Sequence, residues 1–224
     1  MNNNIQEVAW SEKQRVLAKA SEQVRAGESC SGMNVILVDA DYVDKVAFDL
    51  IVNFERMIGR RIPQADFAKW IDCVALDGGI RQGEQETQVV LVHKKGSQRM
   101  ENFLPGHYTD ELDGKAFKDH LGEFCINAFS AEDMTGEDHY FIDALQLLTA
   151  QKEVRRMMVI PNAEDEYLIN KVRETLRLVD DDDRRITVFA MQPLTGGNFR
   201  QEILGYSLMA ALGIRSEEIN TKIQ

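Results

Sequence analysis

The chain has 224 residues, of which 44% are hydrophobic and 28% charged, the balance of a soluble globular protein with one large domain or one domain plus appendages. No apolar stretch approaches the ~20 residues that cross a bilayer, which excludes a helical membrane span and predicts no membrane partner. A net charge of -11, from 37 acidic and 26 basic residues, disfavours a broad phosphate-tracking surface for nucleic acid and leaves only a limited basic patch, such as Lys94-Lys95 with Arg99.

In chain order, residues 1–32 read as an N-terminal helical extension and linker, helical over 8–24 and then Ala26-Gly27-Glu28-Ser29-Cys30-Ser31-Gly32. The opening Met-Asn-Asn-Asn-Ile-Gln-Glu lacks the basic and apolar regions of a signal peptide, which predicts a cytoplasmic address. Met33 stands directly before the first strand. Either translation begins there, or the extension packs on the domain or on a partner subunit.

Residues 33–224 form the domain. Val35-Ile36-Leu37-Val38 is the first strand, and a helix is expected over 44–60, stopped by Pro63. Residues 67–76 predict a second strand closed by the turn Asp77-Gly78-Gly79, and 88–93 a third. The segment 94–114 is irregular. A short helix at 115–121 is expected before a strand at 123–129, then helix 136–150, strand 156–160, helix 164–178, the acidic turn 180–183, strand 186–191 and a closing helix 198–212. This last helix carries more apolar surface than one face needs, which points to a homodimer interface. Alternating strands and helices predict an α/β, three-layer, mostly parallel sheet with helices on both faces.

In such a sheet the strand carboxyl ends and helix amino ends share one edge, where ligands bind. Asp39 closes the first strand, Asp138 opens helix 136–150, and Asp165 opens helix 164–178. Both helix aspartates fall near the apolar arcs of their helices, so all three are expected to approach one point. Three carboxylates meeting there suit magnesium or manganese, which prefer hard oxygen ligands. The competing reading is structural. Thr135 to Asp138 and Asn162 to Asp165 have the form of capping boxes, and acids in a first helical turn are favoured by the helix dipole alone.

Other features carry less chemistry. Cys30, Cys73 and Cys125 form no paired motif, which suits a reducing compartment, and His93, His107, His120 and His139 show no zinc spacing. Asp180 to Asp183 lacks the glycine and glutamate of a calcium loop, and Leu194-Thr195-Gly196-Gly197-Asn198 reads as an N-capped helix start. His139 reads as an exposed first-turn residue, Trp70 and Met157-Met158 as core.

The aspartate-bearing segments together resemble the NYN domain, a branch of the PIN-like metal-dependent ribonucleases. The stretches that carry the likeness are Val38-Asp39-Ala40-Asp41-Tyr42, Thr135-Gly136-Glu137-Asp138 with Asp143-Ala144-Leu145, and Pro161-Asn162-Ala163-Glu164-Asp165-Glu166. The resemblance implies a Rossmann-like PIN fold over roughly 34–192 and cleavage of RNA phosphodiesters by Mg or Mn held on Asp39, Asp138 and Asp165. The sequence departs from the family pattern at Ala163, where the family has an aspartate, and at Tyr42, where it has an asparagine. Glu164 and Asp41 are the candidate substitutes, and a catalytically degenerate descendant is the variant expectation. The alternative is a non-catalytic binding protein with a nucleotide or small-ligand site at the same edge.

Overall fold

The computed structural model describes residues 32–131, 137–177, 179 and 184–220. Strand β1 (Met33–Asp39) is buried at every position, as a strand covered on both faces must be. Helix α1 (Ala40–Ile58) starts on the very next residue. Asp39 is its N-cap and accepts from the Tyr42 N–H at 2.9 Å, so the helix begins earlier than the expected 44. It ends at Gly59, whose φ of 80° is left-handed, ahead of Pro63.

After the short strand β2 (Ala65–Asp66), residues Phe67–Asp77 form helix α2, not the expected strand. Asp66 caps it by accepting from the Lys69 N–H at 3.1 Å. Its apolar residues Phe67, Trp70, Ile71 and Val74 recur at helical spacing and all are buried. Strand β3 (Glu86–Lys94) follows as expected. The irregular stretch folds as β4 (Phe103–Leu104), paired with β2, and one π turn at Tyr108–Leu112.

The helix expected at 115–121 is instead strand β5 (Ala116–Asp119), which turns back through Gly122 into β6 (Gly122–Ala131) as an antiparallel hairpin. Gly122 has φ 126°, and a Cβ there would stand 2.1 Å from the Gln85 carbonyl oxygen. Only glycine permits that turn. Then come α3 (Glu137–Ala150), β7 (Val154–Ile160), α4 (Glu166–Leu176), β8 (Arg185–Ala190), β9 (Arg200–Ile203), α5 (Leu204–Ala211) and α6 (Ser216–Asn220). The expected closing helix is therefore a strand and a shorter helix. The Gln201 side-chain amide fixes the preceding loop, accepting from the Leu194 N–H at 2.8 Å and donating to the Leu194 carbonyl at 2.9 Å, so Leu194 to Asn198 leads into β9 and not into a helix.

The seven-stranded sheet has the order β5-β6-β3-β1-β7-β8-β9, parallel throughout except for β5. The chain builds outward from β1 to β3 and β6, then returns to lay β7 on the other side of β1. Alternation along β1 sends Ile36 and Val38 to one face, under α1, α2 and α5. Val35 and Leu37 go to the other, under α3 and α4. The result is the expected three-layer α/β arrangement, with β1 at its centre. The apolar arcs expected on α3 and α4, Phe141, Ile142, Leu145 and Leu148 on one and Leu168, Ile169, Val172 and Leu176 on the other, are the buried ones. On α5, Leu204 and Leu208 are buried and Tyr206 is exposed.

The two reassigned segments meet at Asp72 of α2 and Asp119 of β5. Burial first, then the hydrogen bond and charge of Asp119, push the Asp72 carboxyl up to about 7. A carboxyl raised in the fold binds more protons folded than unfolded. The stability it adds is full below pH ~4 and is lost as pH rises through about 7. Asp72 is only half-buried, so solvent screening limits the loss to roughly 1–2 kcal/mol. Melting temperature is therefore expected to fall between pH 5 and pH 8, and Asp119→Asn, whose amide can donate to an ionised Asp72, should flatten that fall. A fall of the same size in the variant would show the pair to be inert.

Candidate functional site

The chain leaves β1 for α1 on one face and leaves β7 for α4 on the other. Connections that part in this way open a crevice at the strand carboxyl ends. Asp39 stands at that crevice with only 2% exposure. A carboxylate so buried is costly without hydrogen bonds, and the α1 amino terminus supplies one through Tyr42 N–H together with its positive dipole end.

The next acids along α1 reach outward from the same edge. Asp41 accepts from the Lys94 N–H at 2.6 Å and so ties α1 to the end of β3. Asp44 accepts from the Asn102 backbone at 2.8 Å and from its amide at 3.1 Å, holding the 94–114 segment over the edge. Burial pushes the Asp44 carboxyl up, and the Asn102 hydrogen bonds oppose this.

Two tyrosines gather these charges. Tyr42 is 4% exposed, and burial, then Glu164, with Asp39 adding to it, push its hydroxyl up to about 12. Tyr108 is 1% exposed, and its ring stacks on His93 at 3.9 Å between centroids. Burial pushes its hydroxyl up as well, reinforced by Asp41, Asp44 and Asp39. Burial lowers the His93 ring, which is therefore neutral at pH 7. Asp39 and Glu164 thus lie within electrostatic reach of one buried hydroxyl, and Asp39, Asp41 and Asp44 of another.

The remaining expected ligands are placed as follows. Asp165 is itself the N-cap of α4, accepting from Tyr167 N–H at 2.8 Å and Leu168 N–H at 3.1 Å. The capping position expected at Asn162 is thereby moved to Asp165, and Asn162 instead accepts from the Glu164 N–H at 3.1 Å. Glu164 pairs with Lys45 of α1 at 2.9 Å, a bridge across the crevice between α1 and the loop after β7. Asp138 lies in the first turn of α3, and its side chain is outside the described residues, as are Thr135, His139, the acidic turn 180–183 and the extension 1–31. Among the described residues, no three His, Cys, Asp or Glu side chains group closely enough to hold a metal ion.

Sequence reasoning named Tyr42 only as a departure from the resembled pattern, and did not single out Asp44, Lys45, Tyr108 or His93 for this edge. The signal for the first three was present. Once Asp39 is taken as a cap, the first helical turns carry Asp41, Tyr42, Asp44 and Lys45 to the same end of the sheet. Tyr108 gave no local signal, because the fold of 94–114 depends on Asp44.

No helix among the described residues is long and apolar enough to cross a membrane. Neither a curated protein nor a solved structure matches the chain. Residues 31–219 match the model of a family of unknown function, DUF6621, and the chain belongs to that family.

Proposed function

We propose that this is a Rossmann-like domain of the PIN/NYN type whose carboxyl edge binds Mg or Mn at Asp39, Asp138 and Asp165, with Asp41 and Glu164 as further candidate ligands, and cleaves RNA phosphodiesters. The observation that carries this reading is the position of Asp39, a buried acid at the tip of the central strand, where the chain reverses its direction of sheet growth. With the antiparallel β5 set aside, the strands follow the doubly wound order 3-2-1-4-5-6, in which ligands bind at that point. The donors are the hard oxygens these ions prefer. Asp165 Oδ2 and Asp41 Oδ1 take no hydrogen bond among the described residues, which leaves an oxygen on each for a cation. A bound ion supplies activated water and charge stabilisation at phosphorus. RNA would approach over the Lys94-Lys95 and Arg99 patch.

A second reading, a non-catalytic nucleotide or small-ligand site at the same edge, is favoured by the structural duties these acids already perform. Asp39 and Asp165 cap helices, Asp41 holds β3, and Glu164 pairs with Lys45. Manganese separates the two. At a hundredfold excess over its dissociation constant it should stabilise the wild type by about 2.7 kcal/mol, roughly 5–11 °C for a chain of this size. Asp39→Asn keeps a good N-cap and should show no such rise. Equal shifts, or none in either protein, would remove the metal reading and leave the second.

A further inference from the structure

The edge of the sheet opposite Asp39 gathers four arginines. Arg156 of β7 stands directly across from Arg185 of β8, and Arg200 of β9 pairs in register with Thr187, two residues along from Arg185 and on the same face. Arg156 donates to the Gly78 carbonyl at 2.7 Å, at the carboxyl end of α2. Arg81, just beyond that helix end, donates to the Leu76 and Ile80 carbonyls at 3.2 and 2.9 Å.

The turn Asp77-Gly78-Gly79 is shaped around this arrangement. Gly79 has φ 87°, and a Cβ there would stand 2.7 Å from Arg156 Nη1, so glycine lets the guanidinium lie against the backbone. The α2 carbonyls account for Arg81 and Arg156 as cations at a helix carboxyl end. They do not account for Arg185 and Arg200, which make no hydrogen bond or ion pair among the described residues.

Like charges directly opposite on neighbouring strands destabilise a sheet. The repulsion is felt here: burial first, then Arg185, Arg200 and Arg81, lower Arg156. Among the described residues, Asp77 at the α2 end and Glu202 two residues after Arg200 do not neutralise the group. The Asp77 carboxyl is pushed up by burial and by Glu202, the reverse of what a paired arginine would do. In a chain of net charge -11, Arg185 and Arg200 are cations without a paired counter-charge among the described residues.

We propose that Arg81, Arg156, Arg185 and Arg200 form a binding site for a phosphoryl group at the amino edge of the sheet. Planar guanidinium forks match phosphate oxygens in pairs, and the charge of the ligand cancels the repulsion within the cluster. The site is independent of the Asp39 edge, and Asp39→Asn should leave it unchanged.

The test is a melting series on the full chain in inorganic phosphate, in adenosine monophosphate and in chloride at matched ionic strength. Phosphate should raise the wild-type melting temperature above its chloride value. A larger rise with the nucleotide assigns a phosphomonoester, and an equal rise assigns phosphate itself. The double variant Arg185→Gln, Arg200→Gln, which spares the Arg156 hydrogen bond to Gly78, should melt no lower than wild type in chloride, because repulsion is removed, and should bind phosphate at least tenfold more weakly. Should that variant fail to fold, Arg200→Gln serves instead, with an expected several-fold loss of phosphate affinity. No rise above chloride in the wild type, or an undiminished rise in the variant, overturns the proposal.

Discussion

Single-stranded RNA incubated with manganese is expected to be cut at least ~10³-fold faster by the wild type than by Asp39→Asn. A metal ion contributes several kcal/mol of charge stabilisation at a phosphoryl group. Each ~1.4 kcal/mol is tenfold in rate, so on the proposed reading, in which Asp39 holds the ion, its loss removes about three powers of ten. Asparagine caps helices about as well as aspartate, so α1 should keep its start, and the metal-free variant should melt within about 1 kcal/mol of wild type. That pairing of lost turnover with retained stability separates a ligand from a purely structural acid. Asp138→Asn is the control. Cleavage that survives equally in both variants comes from a contaminating nuclease, and no manganese-dependent cleavage by the wild type leaves the binding reading in place.

Trp70→Ala should cost about 3–5 kcal/mol, on the order of the whole stability of a marginal domain. Trp70 is fully buried and packs edge-to-face on Phe103 at 5.3 Å and Phe67 at 6.1 Å between centroids. These rings fasten α2 to the β2–β4 ribbon, and through it to the segment that Asp44 holds over the candidate site. The indole N–H is buried with no acceptor among the described residues. Trp70→Phe removes that unsatisfied donor along with some volume, and is expected to cost less than about 1.5 kcal/mol. Urea denaturation of both variants gives the comparison. A similar loss in each would mean that the indole itself, and not the aromatic packing, carries the contribution.

The alternating strands and helices were legible wherever one period dominated. β1, β3, β6, β7 and β8 stand where continuous apolar runs placed them, and the buried arcs of α3 and α4 follow from helical spacing. The misreadings share a cause. Phe67-Ala68-Lys69-Trp70-Ile71 is rich in strand-forming residues, yet the cap at Asp66 and the spacing of Phe67, Trp70, Ile71 and Val74 make it helical. Residues 115–121 and 198–203 have weak local preference and take strand form by pairing with β6 and β8, partners that local sequence does not announce. At the site, the placement of Asp39 was readable from the strand it ends. The stacking of Tyr108 on His93, and the gathering of acids around two buried hydroxyls, depend on contacts between segments far apart in the chain.

The central position of β1 sets an order on synthesis. It emerges first among the seven strands, yet one of its two neighbours, β7, is encoded roughly a hundred residues later. At about 5–20 residues per second the ribosome takes roughly 5–20 s to deliver that neighbour. During this interval one flank of a strand destined to be buried at every position has no native partner. Nascent or prematurely terminated chains that stop short of Val154 should therefore depend on chaperones and be cleared by proteases, while full-length product escapes both.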